Sequence, residues 1–314
     1  MQFTGDLPTA AESWTYVMVR WATFTSLVLL IGACVFLIVL QRVLDRPECR
    51  ALGDLVRTRV RATGLAASLA VLALAPARVL LQQRVLSDAL GDGTRITLGD
   101  LLGGDWGVGV ALQLVAGGVG AVAFARTLGG MRQLGMGVAL TAAAFVPAFS
   151  GHAAGATSPA LPMLADAVHV LAAGAWAGGL LILATVVLPS AYKAHADEAA
   201  AGLQAILRAF TPVALGGASL LAITGTYAGV SHVGSISGLT STRYGSALLW
   251  KLGLVAAMLV VGALNWKRIG PSAHTRDGMP KMWRSALLEG AIALAILFVT
   301  AVLVARGTPV DLVE

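Results

Sequence analysis

The chain has 314 residues, 57% of them hydrophobic and 12% charged, with a net charge of +6. Soluble domains carry about 25% charged residues, and here the charge is missing from runs of about 20 residues, each long enough to cross a hydrocarbon core of about 30 Å as a helix. That excludes a water-soluble globular domain and leaves an all-α polytopic membrane helix bundle.

Eight stretches qualify as spans: 14–40, 60–81, 106–125, 133–154, 162–188, 208–232, 244–267 and 284–306. The first is not a cleavable signal peptide, because its apolar run is too long and "MQFTGDLPTAAESW" before it holds no Lys or Arg. The second is the weakest, since Pro76 and Arg78 interrupt its end. The connection 82–106 has turn signals, and a small strand or hairpin is expected at Thr94–Leu98. Spans three to five are rich in Gly and Ala, which lets helix backbones approach closely. "AHADEAAAGLQAILRAF" (194–210) reads as an interfacial helix leading into span six, and 265–284 as a solvated loop. Residues 1–135 hold spans one to three and 136–314 hold spans four to eight, in one integral membrane unit.

The basic residues fall on one side. Fifteen flank the connections after the odd-numbered spans: Arg42, Arg46, Arg50, Arg57, Arg59, Arg61, Arg126, Arg132, Lys193, Arg208, Lys267, Arg268, Arg276, Lys281 and Arg284. The other side has four, Arg84, Arg95, Arg243 and Arg306. The positive-inside rule then puts both termini outside. The basic balance reports topology and contact with the lipid bilayer, not a nucleic-acid partner. Cys34 and Cys49 sit too differently to suggest a disulfide, and there is no CxxC or CxxCH.

Ionisable groups in hydrocarbon are costly and mark pathways for ions or electrons. The spans contain Arg20, His152, Asp166, His169, His232, Lys251 and Glu289. Span four ends outside near His152, and span six ends outside near His232. Span five starts outside, with His169 about 10 Å down at 1.5 Å per residue. Three histidines and one carboxylate thus converge on the outer leaflet from three helices.

Asp166 and His169 are i and i+3, neighbours on one helix face. Imidazole with carboxylate suits Cu(II), Zn(II) or Fe, whereas thioethers such as Met18 or Met163 would favour Cu(I). The alternative is a local pair in which the carboxylate fixes the imidazole tautomer. Arg20 reads as a snorkelling residue, Lys251 as a partner for Asp166 or an anchor, and Glu289 as a partner for an inner arginine or a release-side ligand. His195 and His274 read as loop residues.

"FSGHAAG" (149–155) and "VHVLAAGAWAGGL" (168–180) together resemble the copper resistance protein D family of bacterial inner-membrane proteins. The resemblance continues through "SLLAITGTYAG" (219–229), "RYGSALLWKLGLVAAMLVVGALN" (243–265) and "ALLEGAIALAIL" (286–297). It implies an eight-helix protein that moves copper ion from the periplasm towards the cytoplasm, often with a separate periplasmic copper-binding partner. The matched positions are His152, His169, Trp176, Gly178, Gly179, Tyr244, Gly245, Lys251, Asn265 and Glu289. Among these only the histidines are natural copper ligands. The expected metal site is therefore His152, Asp166, His169 and His232. Two rivals stand beside it: a membrane electron carrier with haem on facing histidines, and a copper-dependent sensing or assembly factor that does not transport. No catalytic constellation is present, so an enzyme is not expected.

Overall fold

The computed structural model of the protein describes residues 13–90, 96–126, 129–150, 159–194, 196–233, 236–269 and 278–306. Helix α1 (Trp14–Leu44) starts where the Ser13 hydroxyl accepts the Tyr16 N–H, and it stops just before Pro47. Then come α2 (Arg50–Leu90), α3 (Leu98–Leu102), α4 (Asp105–Ala125) and α5 (Met131–Ala148). The next helix is one rod over Ala160–Lys193. It comprises α6 (Ala160–Ala173), a π turn (Gly174–Gly178), α7 (Gly179–Ile182), a second π turn (Leu183–Val187) and α8 (Leu188–Lys193). The chain continues with α9 (Ala196–Val233), α10 (Ile236–Ser241), α11 (Arg243–Leu264), a π turn (Asn265–Ile269) and α12 (Gly278–Val304).

Among the described residues there is no strand. The strand expected at Thr94–Leu98 is not there where the chain is described; residues 91–95 lie outside those residues. Thr97 and Asp100 instead form a reciprocal capping box that starts α3, a short-range signal that wins over the turn pattern. The interruption expected at Pro76 and Arg78 is also absent, because α2 runs through both. Pro76 lies on the exposed face. Beyond it the helix is held from its neighbours: Arg78 donates to Gln113 Oε1 at 2.7 Å and lies over the Trp106 ring, and Tyr16 donates to Gln82. The stretch expected to be an interfacial helix is helical from Ala196 and continuous with α9.

Among the described residues, seven helices are long and apolar enough to cross a membrane, and the protein is a multi-pass membrane protein. Helix α5, where the fourth span was expected, has 18 residues and is not one of the seven. It opens on Met131-Arg132-Gln133, which dilutes its apolar run. Even so, it runs antiparallel beside α4 for the full length of that helix. A Cβ at Gly135 would stand 3.2 Å from that of Ala123 at one end, and a Cβ at Gly109 would stand 2.5 Å from Ser150 Oγ at the other.

Hydrogen bonds fix the order of the ends. At the arginine-rich end, Arg61 donates to the Phe124 carbonyl, Gln133 to Gln41, Arg59 to Ser190 Oγ and the Cys49 thiol to the Gly202 carbonyl. At the opposite end, Arg20 donates to the Val304 carbonyl and Arg306 to that of Arg243. The start of α1 and the end of α12 therefore share a side.

The centre of the bundle is α1, where Leu30, Ile31, Ala33, Cys34 and Leu40 are wholly buried. Its closest neighbour is the first π turn. A Cβ on Gly178 would come within 2.2 Å of the Val28 carbonyl oxygen, and one on Gly32 within 2.6 Å of the Gly178 carbonyl carbon. Backbones meet there with nothing between them, which only glycine permits. The π turns leave backbone carbonyls without their usual partner, and Trp283 of α12 donates its indole N–H to that of Ala184 at 2.9 Å.

Candidate metal site

Asp166 and His169 lie on α6, partly buried. His169 Nδ1 is 2.8 Å from the Thr224 hydroxyl of α9, and that hydroxyl donates to the Leu220 carbonyl at 2.6 Å. A hydroxyl has one proton to give. Because Thr224 gives its proton to Leu220, it accepts from His169 Nδ1–H. The ring's other nitrogen, Nε2, then carries the lone pair a metal needs. Gly225 lies against the ring, and a Cβ there would be in ordinary contact at 3.4 Å from His169 Cε1.

Asp166 does not set this tautomer; Thr224 does. Among the described residues its carboxylate makes no hydrogen bond or ion pair. The ion pairs among the described residues, Arg46–Glu48, Arg57–Asp45 and Arg57–Asp54, are all at the arginine-rich end. The charge that acts on both Asp166 and His169 is Lys251 of α11, from beyond ion-pair distance. The expected pairing is thus a long-range attraction rather than a contact.

The other expected ligands are not gathered here. His232 stands eight residues beyond Thr224 on α9, about 12 Å further along the helix. Its Nδ1 is 3.2 Å from the Tyr244 hydroxyl, with the two rings edge to face. His152 lies outside the described residues. Among the described residues, no three of His, Cys, Asp and Glu come together to hold a metal. Met163, one turn before Asp166, is partly buried, and Met18 is exposed. The pair supplies one imidazole nitrogen and one carboxylate, a donor set that suits a borderline cation and needs at least one further ligand.

The remaining matched positions are structural or lie elsewhere. Trp176 packs with Leu180, Met258 and Ala293 in an apolar cluster. Gly179 faces the Phe210 ring. Glu289 meets Asn265, not an arginine. Both cysteines are free and buried; burial, with Glu48 beside it, pushes the Cys49 thiol up from its ordinary pKa, which leaves it unreactive. Thr224 was missed in the sequence. It stands in "AITGTYAG", a hydroxyl beside a glycine in an apolar span, at a depth matching His169 from the far end of the next helix.

The residues aligned by this geometry can be set against known proteins. A family model for the copper resistance protein D-like N-terminal domain matches residues 10–161, and one for copper resistance protein D matches residues 204–303. The chain belongs to the copper resistance protein D family. The match in the first half goes beyond the sequence analysis, which read those spans only by number and apolar character. His152 falls in the first matched stretch, and His232, Lys251, Asn265 and Glu289 in the second; Asp166 and His169 lie between the two. The chain is also similar to the copper transport protein CutJ of Bacillus subtilis (strain 168), 33% identical over 162 residues. That match covers 52% of this chain and 28% of CutJ, so the chain spans less than a third of that relative's length. No solved structure matches it.

Proposed function

We propose that this member of the copper resistance protein D family moves copper across the bacterial inner membrane, from the periplasm towards the cytoplasm, through the Asp166–His169 pair. Its arginine-rich end faces the cytoplasm, and both termini and the pair lie on the periplasmic side. The reading takes eight crossings, the seven long apolar helices and α5. The start of α1 and the end of α12 meet at one end of the bundle, and α5 lies along α4 although it is shorter and less apolar. His152, in the connection between α5 and α6, supplies the third donor, and His232 with Tyr244 stands further out, where the ion is first met.

The observation that carries the reading is the state of His169: Nδ1 is committed to Thr224, and among the described residues Nε2 and the Asp166 carboxylate, one helical turn apart, are free of hydrogen bonds. Copper is cargo here, and the donors fit it, since imidazole nitrogen and carboxylate oxygen are ligands Cu(II) accepts. The test is copper uptake into proteoliposomes that contain only this protein. Wild type and Gly118→Ala, where a Cβ meets nothing within 4 Å, should take up copper equally, and His169→Ala should not. Uptake by His169→Ala at the wild-type rate would sink the assignment.

A further inference from the structure

A second buried polar pair lies away from the His169 site. Glu289 of α12 is 7% exposed, and Asn265, which opens the π turn after α11, is 5% exposed. Gly290, the next residue after Glu289, packs on Leu181, where a Cβ would stand 3.2 Å from Leu181 Cδ2. Leu181 is twelve residues after His169 on the same rod, about 18 Å along it. The two pairs do not touch.

Asn265 Nδ2 donates to Glu289 Oε1, while Asn265 Oδ1 is buried with no hydrogen-bond donor among the described residues. An ionised carboxylate in this place would have one neutral amide N–H as its partner, too little to replace the water it lost. It would also leave Oδ1 unsatisfied, because a carboxylate is acceptor-only. The neutral acid resolves both faults with one proton. Its Oε2–H is the donor that Oδ1 lacks, and the two side chains close as a ring of two hydrogen bonds, acid to amide and amide to acid.

We propose that Glu289 and Asn265 form a proton-binding site, with Glu289 held as the acid while α11 and α12 are in contact here. Releasing the proton breaks half of the ring and weakens that contact, so the proton is the ligand and the helix pair is what it controls. The charges on the elements packed around α12 do not account for this. Helix α1 carries Tyr16, Arg20 and Arg42 with the Cys34 thiol, α8 carries Tyr192 and Lys193, and α11 carries Arg243, Tyr244 and Lys251. The π turn carries Lys267, α12 itself Lys281 and Arg284, and α7 and the second π turn carry no such group. Burial and Asn265 are what act on Glu289; none of these charges does.

Infrared spectra of the purified full-length protein in lipid nanodiscs decide it, with no copper present, so the outcome stands apart from that of the uptake experiment. At neutral pH the wild type should show a protonated-acid carbonyl band that is missing in Glu289→Gln and displaced in Asn265→Leu. The Gln amide offers the same two bonds as the acid, so Glu289→Gln should stay folded. A group that binds its proton only in the folded state loses stability as pH rises, so the thermal midpoint of the wild type should fall with rising pH more steeply than that of Glu289→Gln. Superimposable spectra of wild type and Glu289→Gln at neutral pH would overturn the proposal. So would failure of Glu289→Gln to fold.

Discussion

Helices α1 and α11 are almost equally apolar, with mean hydropathies of 2.7 and 2.2 over their best windows, yet 67% of that window is buried in α1 and 11% in α11. Apolarity does not separate them, because lipid tails are as apolar as leucine and give no reason for one greasy helix to prefer another. Small residues do separate them. Along α1, Gly32 meets the backbone of Gly178, and Gly174 faces Ile31 at a distance that leaves no space for a Cβ. On α11, Gly253 and Gly262 have nothing within 4 Å. The two regions divide the work accordingly: α1 and its neighbours hold the bundle, and the polar groups Asp166, His169, Lys251, Asn265 and Glu289 stand on the helices around it.

The largest expected effect follows from breaking the packed side. Gly178→Leu drives a side chain into the Val28 carbonyl and should cost about 3 kcal/mol or more, since overpacking at a backbone contact cannot relax by rotamer change. Gly253→Leu, on the other side of the comparison, should change stability by no more than about 0.5 kcal/mol. Thermal unfolding of both variants in the same detergent measures the difference. Equal losses would show that the contrast between α1 and α11 has no energetic content.

Smaller effects, read in copper affinity rather than stability, sharpen the other half of the comparison. Thr224→Val removes the acceptor for His169 Nδ1–H while keeping the shape, and should weaken copper binding about tenfold, the lower end for loss of a group that orients a ligand. Lys251→Met removes a positive charge that acts on Asp166 and His169, and should tighten binding a few-fold, because like charges repel through the low-dielectric interior. Calorimetric titration of each variant with copper gives both signs. Tighter binding by Thr224→Val would place the ring's lone pair on Nδ1 and undo the tautomer assignment.

Most of the helices were legible in the sequence because lipid imposes a length and an apolarity that composition displays directly. The course of α2 through Pro76 was not, since what holds the helix past the proline is Tyr16, Gln113 and Trp106 on other helices, none of them close to Pro76 in sequence. That Asp166 and His169 fall one turn apart on one helix was legible from the i, i+3 spacing. Its meaning was not: the residue that orients His169 is Thr224, 55 positions away, and a lone threonine in an apolar span gives little warning. Convergence of His232 on the same depth failed for a related reason. Counting from the ends of spans assumes that each helix stops at the membrane surface, whereas α9 carries His232 about two turns past the level of His169.

The smallest expected effect lies outside the bundle, at α3. Asp100 accepts from the Thr97 N–H at 3.1 Å and from the Thr97 hydroxyl at 2.6 Å, and the Thr97 hydroxyl oxygen accepts the Asp100 N–H at 3.2 Å. These bonds, the side-chain one first, hold the Asp100 carboxyl below its ordinary value. A carboxyl whose pKa is lowered in the folded state adds stability that is present above its unfolded pKa and is lost as pH falls through the folded one. Helix α3 should therefore fray in acid below the ordinary carboxylate range while the bundle stays intact, because Asp100 is exposed and bonds only to Thr97. Amide exchange at Leu101, whose N–H bonds to the Thr97 carbonyl at 3.2 Å, reads the fraying directly. Thr97→Ala should speed exchange there at neutral pH and leave the protected amides of α1 unchanged. Accelerated exchange in α1 of the same variant would mean that the packed side leans on its outer cap, and that the two regions are less separable than their burial implies.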